Sequence, residues 1–463
     1  MRKNEQIFFR IDWPLLVGIL LLMMLGILTV YSVAYTPKAP SIFDFSQKYG
    51  KQLFWVSISL FLGFIILLID SSIYRKYAEF IYISTLLLLV LVLFMPPVNG
   101  ARAWLGIGSL GIQPAEFAKV STALLLAKWV DMTNVKLQGP RTVVEYLAII
   151  FIPSLFIILQ PDAGTLLVFT SFFFVMYREG ITFDPVILYV LRLFPNLKFK
   201  STWLGTHFIP FLFFLLIISV ISLYLSNVSV DVFGFLLSGT TTLSLFVTLL
   251  GLLILGVIFL LGYRRQRTKH LVILIGSYLF TLFVILSVTF VFNHVAKPHQ
   301  KNRIELVLGL KEDPNGTDYN RNRAMAAVGS GGGLGKGYKM ASISSVRNNH
   351  VPESETDFIF CPFAEEWGFL GAFVLLSTYI FVLFRIFIIA ERQRGPFFRA
   401  YAYAVGIILF YHFAINIGMN IGLSPVIGIP LPFMSYGGSS MMAFSIMVFI
   451  LLKLDSQRYD FLR

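Results

Sequence analysis

The chain has 463 residues, of which 57% are hydrophobic, 16% aromatic and only 13% charged, and its mean hydropathy is +0.79. A soluble domain is about 45 to 50% apolar and about 25% charged, so a water-soluble fold is excluded and a polytopic membrane protein is implied. The net charge of +13 does not point to nucleic acid, because Lys and Arg fall in short clusters between apolar runs, as orientation in a membrane requires, rather than on one basic face.

The first apolar run, 13–35, is longer than the about 7 to 15 residues of a signal-peptide core and reads as a retained anchor. Spans follow at 52–69 and 77–95; Arg75 and Lys76 between them, and Arg2, Lys3 and Arg10 before the first, place both points on the cytoplasmic side. The next loop, 96–112, therefore faces outward. It pairs Arg102 with Trp104, a residue that serves either as a boundary-belt aromatic or as a ligand contact. The fourth helix opens at Gln113 and carries Glu116 and Lys119 on one face. Ionisable groups inside a span are expensive and usually paired toward a cavity, which leaves a structural ion pair and a functional role both open.

After a cytoplasmic loop at 131–141 and a span at 144–159, the outward turn Gln160-Pro161-Asp162-Ala163-Gly164-Thr165 places Asp162 to cap the sixth helix. That helix ends at Arg178, and the stretch to Lys200, with Arg192 and Lys198, suits the cytoplasmic surface. Spans at 208–227 and 232–261, a basic run from Arg264 to Lys269 and a span at 271–293 lead outward again. Beyond the long loop come spans at 358–389 and 401–421, separated by Arg392, Arg394 and Arg399. Residues 422–436 cannot form a regular helix, because Pro425, Pro430 and Pro432 remove amide donors. Such backbone survives at membrane depth only where protein or a wet cavity satisfies it, so a re-entrant Pro/Gly-rich segment is expected before the last helix, 438–454. The whole reads as an all-α polytopic membrane protein of about 12 transmembrane helices with both ends cytoplasmic.

Between 297 and 369 charge, glycine and proline replace the apolar runs. A loop longer than about 12 to 15 residues is usually functional or disordered, and Ile304, Leu306, Val307, Leu308 and Leu310 give this one apolar residues to pack. Its Gly329–Gly337 run is not a Walker phosphate loop: Ser330 and Gly337 stand where glycine and a hydroxyl residue are needed. The glycines read instead as sites of close backbone packing or substrate approach. His294, His299 and His350 lack zinc-pair spacing, and Cys361, the only cysteine, excludes an intrachain disulfide and a thiolate cage. The loop mixes Glu312, Asp313 and Asp318, followed by Glu353, Glu355, Asp357, Glu365 and Glu366, with Lys301, Arg303, Arg321, Arg323, Lys336 and Arg347. Cations beside one general base suit sugar transfer from a pyrophosphate carrier. A mutually neutralising surface, with Asp313-Pro314-Asn315-Gly316 as a simple turn, is the other reading. Carboxylates and a phosphate-bearing substrate also leave room for a hard divalent cation, Mg or Mn.

Seven separated motifs occur in one order: Asn99-Gly100-Ala101-Arg102-Ala103-Trp104; Gln113-Pro114-Ala115-Glu116-Phe117-Ala118-Lys119; the Gln160–Thr165 turn; Asp313-Pro314 with Tyr319; Pro352-Glu353 with Thr356-Asp357-Phe358-Ile359-Phe360; Glu365-Glu366; and Gly428-Ile429-Pro430-Leu431-Pro432 followed by Ser435-Tyr436-Gly437-Gly438-Ser439. On these, over nearly its whole length, the chain resembles the bacterial SEDS proteins, the family of RodA and FtsW. The resemblance implies a single integral membrane domain over 1–463, with a core of about ten spans, a large extracytoplasmic catalytic loop at 297–357, and an inserted transmembrane helix pair at 201–262.

It further implies an inverting peptidoglycan glycosyltransferase that polymerises lipid II on the outer side of the bacterial inner membrane, beside a class B penicillin-binding protein. Asp313 matches the family's loop aspartate, the general base on the acceptor hydroxyl. The substrate-binding set is then Arg102, Trp104, Lys119, Arg303 and Lys336, with Glu116 and Asp162 orienting these groups or helping to hold a cation. No ATP is required, because the donor bond is already activated. The Asn349–Glu353 and Phe360–Gly368 stretches look like the elongation, RodA, branch; an FtsW-like division role is the alternative. Arg323-Ala324 depart from the Gln-Ser usual in the family. A lipid II flippase would place its charges near the midplane at a repeat interface, whereas this chain gathers them in one loop and near helix ends. A noncatalytic scaffold would leave Asp313 dispensable.

Overall fold

In the computed structural model the described residues are 10–35, 41–97, 102–106, 111–133, 139–192, 201–225, 229–232, 235–260, 267–295, 301, 305, 319–345 and 351–458. Asp313 and Arg303, with most of the loop 297–318, lie outside them. The chain divides into two compact units, one of Met1–Val135, Glu145–Val175 and Pro314–Arg463, the other of Lys136–Val144 and Met176–Asp313.

The regular elements of the first unit are helices: α1 (Trp13–Ala34), α2 (Lys48–Leu68), α3 (Ser71–Lys76), α4 (Ala78–Val92), α5 (Pro114–Met132), most of α6 (Pro140–Leu159), α7 (Ala163–Phe169), the start of α8 (Phe172–Arg178), then α14 (Tyr319–Ser330), α15 (Phe360–Arg392), α16 (Pro396–Asn420) and α17 (Gly438–Ser456). Apolar on all sides, α17 is buried along almost its entire length and packs against α2, α5 and α16. Small residues permit that packing: a Cβ on Gly63 would stand 2.3 Å from the Phe449 ring, and one on Gly438 would stand 2.5 Å from Trp55. At one end of the bundle Asp12, the N-cap of α1, accepts hydrogen bonds from Arg385 (2.5 Å) and Arg392 (2.9 Å) at the end of α15. Arg392 also donates to Asp455 of α17 (2.8 Å), so one charge network ties three helix ends.

In the second unit α9 (Asp184–Leu191), α10 (Trp203–Thr206) and α11 (Phe208–Leu225) precede an antiparallel hairpin, β1 (Ser229–Val232) with β2 (Phe235–Ser238), then α12 (Gly239–Leu260) and α13 (Arg267–Phe290). The hairpin corrects the span expected at 232–261. Val230 and Val232 favour extended backbone, and the Ser238 hydroxyl accepts the Thr241 amide at 3.4 Å, so the helix begins only after Ser238. The sixth span runs over Ala163–Arg178, as expected to its end, with a short interruption at Thr170 and Ser171, where Thr170 turns its hydroxyl back onto the Leu167 carbonyl (2.7 Å).

Among the described residues nine helices are long and apolar enough to cross a membrane, and Ala78–Val92 and Ala163–Arg178 are shorter apolar segments. With the buried, charge-bearing α5 they match the expected all-α multi-pass architecture. Residues 421–437, between α16 and α17, are non-helical, as the prolines require.

The glycine-rich run after α14 has a definite structural task. α15 is broken at Gly368, whose φ is +63°. The break frees two amides and two carbonyls, and the run takes all four: Lys336 and Gly337 donate to the Glu365 and Glu366 carbonyls (both 3.0 Å), while Phe369 and Leu370 donate to Gly332 and Gly333 (2.8 and 3.1 Å). The approach is too close for side chains. A Cβ on Gly335, itself at φ +83°, would lie 2.1 Å from the Glu366 carbonyl oxygen, whereas one on Gly333 meets open space. Gly335→Ala is therefore expected to destabilise the protein by about 1–3 kcal/mol through overpacking and left-handed strain. Gly333→Ala should stay within about 0.5 to 1 kcal/mol of wild type in the same detergent unfolding series, in either direction.

Candidate functional site

The site is assembled at the start of α5. Leu105 and Ile112 pair backbone to backbone (2.8 and 2.6 Å), and Pro114 begins the helix directly after them. Arg102 is exposed and donates to the Leu93 carbonyl just beyond the end of α4 (3.2 Å); Trp104, also exposed, lies against Gly111. Gln113, at the N-cap of α5, donates its side-chain amide to Asp162 Oδ2 (2.8 Å), and its backbone amide donates to Ser439 of α17 (3.0 Å). Asp162 caps α7 as expected, accepting from the Thr165 amide (2.9 Å) and hydroxyl (2.8 Å).

One turn into α5 the Glu116–Lys119 pair is sealed from solvent. Lys119 has no exposed surface, and its Nζ lies 2.9 Å from both Glu116 oxygens, 2.8 Å from His412 Nε2 and 5.2 Å from the Phe444 ring centroid. The proline-rich segment is held from α16. His412 Nδ1 is 3.2 Å from the Pro430 carbonyl, Asn416 donates to the carbonyls of Ile429 (2.7 Å) and Asp357 (2.8 Å), and Asn420 donates to the carbonyls of Asp357 (3.3 Å) and Asn416 (2.8 Å). Ser435 closes the segment on itself by accepting the Leu431 amide and donating to the Thr356 carbonyl. Backbone that the prolines leave without helical partners is thus satisfied by side chains.

Gly428, at φ +80°, lies between two elements: a Cβ there would be 3.3 Å from Asp357 Oδ2, and one on Gly164 of α7 would be 3.3 Å from the Ile427 carbonyl oxygen and 3.4 Å from that of Gly428. Burial, the neighbouring Glu353 and the charge of Asp162 together push the Asp357 carboxyl up to about 7. The raised value means the folded protein holds this proton more tightly than the unfolded chain. Its contribution to stability is full below about 4 and is lost as pH rises through about 7. Asp357→Asn is therefore expected to gain at least about 1 kcal/mol over wild type at pH 8 relative to pH 5. Thermal unfolding at the two pH values tests it, and an identical pH dependence in both proteins would refute the shift.

Lys336 Nζ is fully engaged, with Ser330 (2.8 Å), Ser342 (2.7 Å) and Glu365 (2.6 Å). Glu365 also accepts three consecutive backbone amides, Ser342 to Ser344, at 2.8 to 3.0 Å, and so anchors the loop that follows the glycine run. The structure thus gathers Gln113, Glu116, Lys119, Asp162 and Asp357 around residues 428–435, places Arg102 and Trp104 exposed in the loop before α5, and turns Lys336 into the loop itself. The sequence reading missed His412, Asn416 and Asn420. Their signal was a polar stripe at intervals of four inside an apolar span.

Residues 13–201 and 247–460 match the FTSW_RODA_SPOVE family of cell cycle proteins; the unmatched stretch, 202–246, falls within the helix pair read as inserted. The chain is similar to the peptidoglycan glycosyltransferase RodA of Treponema pallidum, with 29% identity over 96% of this chain and 98% of the relative. It is also 28% identical to the peptidoglycan glycosyltransferase MrdB of Escherichia coli K12 (91% and 88% covered) and 29% identical to the stage V sporulation protein E of Bacillus subtilis (96% of each). Among solved structures it shares its fold with a chain described in the structural coordination of polymerization and crosslinking by a peptidoglycan synthase complex (TM-score 0.62, 23% identity, 97% and 98% covered). RodA of Thermus thermophilus has the same fold at TM-score 0.54 and 21% identity, with 97% and 98% covered.

Proposed function

The chain belongs to the FtsW/RodA/SpoVE family of cell cycle proteins, and from that membership we propose that it is a peptidoglycan glycosyltransferase of the RodA type. It polymerises lipid II at the outer face of the bacterial cytoplasmic membrane during cell elongation. The observation that carries the reading is end-to-end similarity to relatives named for this activity, RodA and MrdB foremost. The polar residues gathered around the proline-rich segment support it.

In the reaction the 4-hydroxyl oxygen of the acceptor GlcNAc attacks the anomeric carbon of the donor MurNAc from the face opposite the pyrophosphate. As the new C–O bond forms, the hydroxyl proton passes to the Asp313 carboxylate. The old C–O bond breaks with its electron pair on undecaprenyl pyrophosphate, and configuration inverts. Arg102 and Arg303 meet the charge that develops on the leaving group, and Trp104 covers the apolar face of a sugar. Glu116 and Lys119 act from inside the protein, since Lys119 has no surface to offer a substrate. Asp162 holds Gln113 and the start of α7 in place. Lys336 shapes the loop through Glu365.

Among the described residues no three His, Cys, Asp or Glu side chains gather into a metal cage, and no step is assigned to a divalent cation. A class B penicillin-binding protein is the expected partner, in keeping with the synthase complex that contains a chain of this fold. The test is purified protein with that partner and fluorescent lipid II. Glycan ladders support the reading, whereas lipid translocation into vesicles without polymer would replace it with the flippase.

A further inference from the structure

His412 stands between the buried Lys119 and the proline-rich segment, and its chemistry there is constrained. An ammonium group only donates, so the imidazole nitrogen 2.8 Å from Lys119 Nζ must present a lone pair. That nitrogen is Nε2. The ring proton therefore resides on Nδ1, which lies 3.2 Å from the Pro430 carbonyl oxygen and donates to it. Phe444 packs edge-on against the imidazole at 4.8 Å between centroids, and also lies under the Lys119 ammonium. His412 is 1% exposed and Lys119 0%, so water does not compete for either contact.

Both ends of this bridge lead to the candidate site. On the α5 side, Glu116 shares Lys119 and lies one turn from Gln113, which holds Asp162. On the α16 side, Pro430 adjoins Ile429, whose carbonyl is held by the same Asn416 amide that holds the Asp357 carbonyl. Next to Ile429 is Gly428, where an added Cβ would stand 3.3 Å from Asp357 Oδ2. We propose that His412 is a positioning residue for glycosyl transfer: as the Nδ1–H tautomer it couples the Lys119–Glu116 pair to the proline-rich segment and so fixes the separation of the two sides of the site.

The inference rests on the glycosyltransferase reading and is tested so that the two fail separately. A misplacement of about 1 Å at a reacting centre can cost about 10²-fold in rate. His412→Phe, which keeps the ring and loses both hydrogen bonds, is accordingly expected to lower kcat for lipid II polymerisation by about 10²-fold with KM little changed. His412→Gln offers an acceptor to Lys119 and a donor to Pro430, and is expected to recover most of that rate. A merely structural role would lower Tm and leave this pattern of kcat unmoved. Independently, ¹⁵N spectra of histidine-labelled wild-type protein at neutral pH, assigned by difference from His412→Gln, should show an unprotonated Nε2 and a protonated Nδ1.

Wild-type kcat in a folded His412→Phe, a Gln variant as slow as Phe, or an Nε2–H tautomer would each overturn the positioning role. If the Phe variant does not fold, the Gln rate and the tautomer decide. Wild-type protein that makes no glycan would instead remove the glycosyltransferase reading, and with it any positioning in that reaction, while the spectra would still report the tautomer.

Discussion

Asp313→Asn is expected to slow lipid II polymerisation by about 10² to 10⁴-fold, the contribution of a well-placed general base. Asn is the informative replacement, because two physical roles compete at this position. Asp313-Pro314-Asn315-Gly316 is a strong turn sequence, and Asn supports the same turn through the same side-chain geometry. The amide cannot take up the acceptor's proton. A base is therefore lost on replacement by Asn, whereas a turn former is lost only on replacement by Ala. Initial rates of glycan synthesis, measured with partner in excess, separate the cases. An Asn variant at wild-type rate beside a slow Ala variant would make Asp313 a turn residue, and full activity in both would leave it dispensable.

How much of this was legible in the sequence depended on whether local chemistry decided it. The apolar runs, the cap at Asp162 and the proline-broken segment before α17 are each dictated by neighbours in the chain, and all three stand in the structure. The Glu116–Lys119 contact was legible from one-turn spacing, but its isolation from solvent was not. That burial is made by Phe444 and His412, which are distant in sequence. Lys336 likewise has a structural tie that the chain did not reveal: a lysine in a glycine-rich loop reads as a substrate contact, and the fold also brings Glu365 onto it. The hairpin at 229–238 escaped notice because Val232, Phe235, Leu236 and Leu237 read as the opening of the next span, although Ser229, Asp231 and the hydroxyls from Ser238 to Thr242 interrupt the apolar run.

The glycine run shows why composition alone left two readings open. Close packing and close substrate approach demand the same absence of Cβ. The break at Gly368 decides for packing at Gly331 and Gly335, whose missing side chains face the carbonyls of Ala364 and Glu366. Gly329, Gly332 and Gly333 have open space where a Cβ would be, so these are the positions in the run at which another molecule has room. The polarity of the segment thus serves two ends. Part of it repairs a kinked membrane helix, and part leaves open space beside the backbone.

Lys119→Met is expected to destabilise the protein by about 3–5 kcal/mol, because the Glu116 carboxylate would remain buried without its counter-charge. Pairing it with Glu116→Gln removes the orphaned charge, and neutral side chains of similar volume in place of a buried ion pair are close to neutral in stability. The double variant is therefore expected to regain most of the lost stability in detergent unfolding. Its polymerisation should nevertheless stay at least about tenfold slow, since fixed charges in a dry site contribute to rate in a way neutral groups cannot replace. The His412 Nε2 lone pair would also face a methyl group, releasing one end of the bridge to Pro430. Stability and rate thus separate the two roles left open for this pair. If the double variant regains both together, Glu116 and Lys119 are only a structural ion pair. If stability returns without rate, the pair belongs to the catalytic machinery even though no substrate atom can reach it.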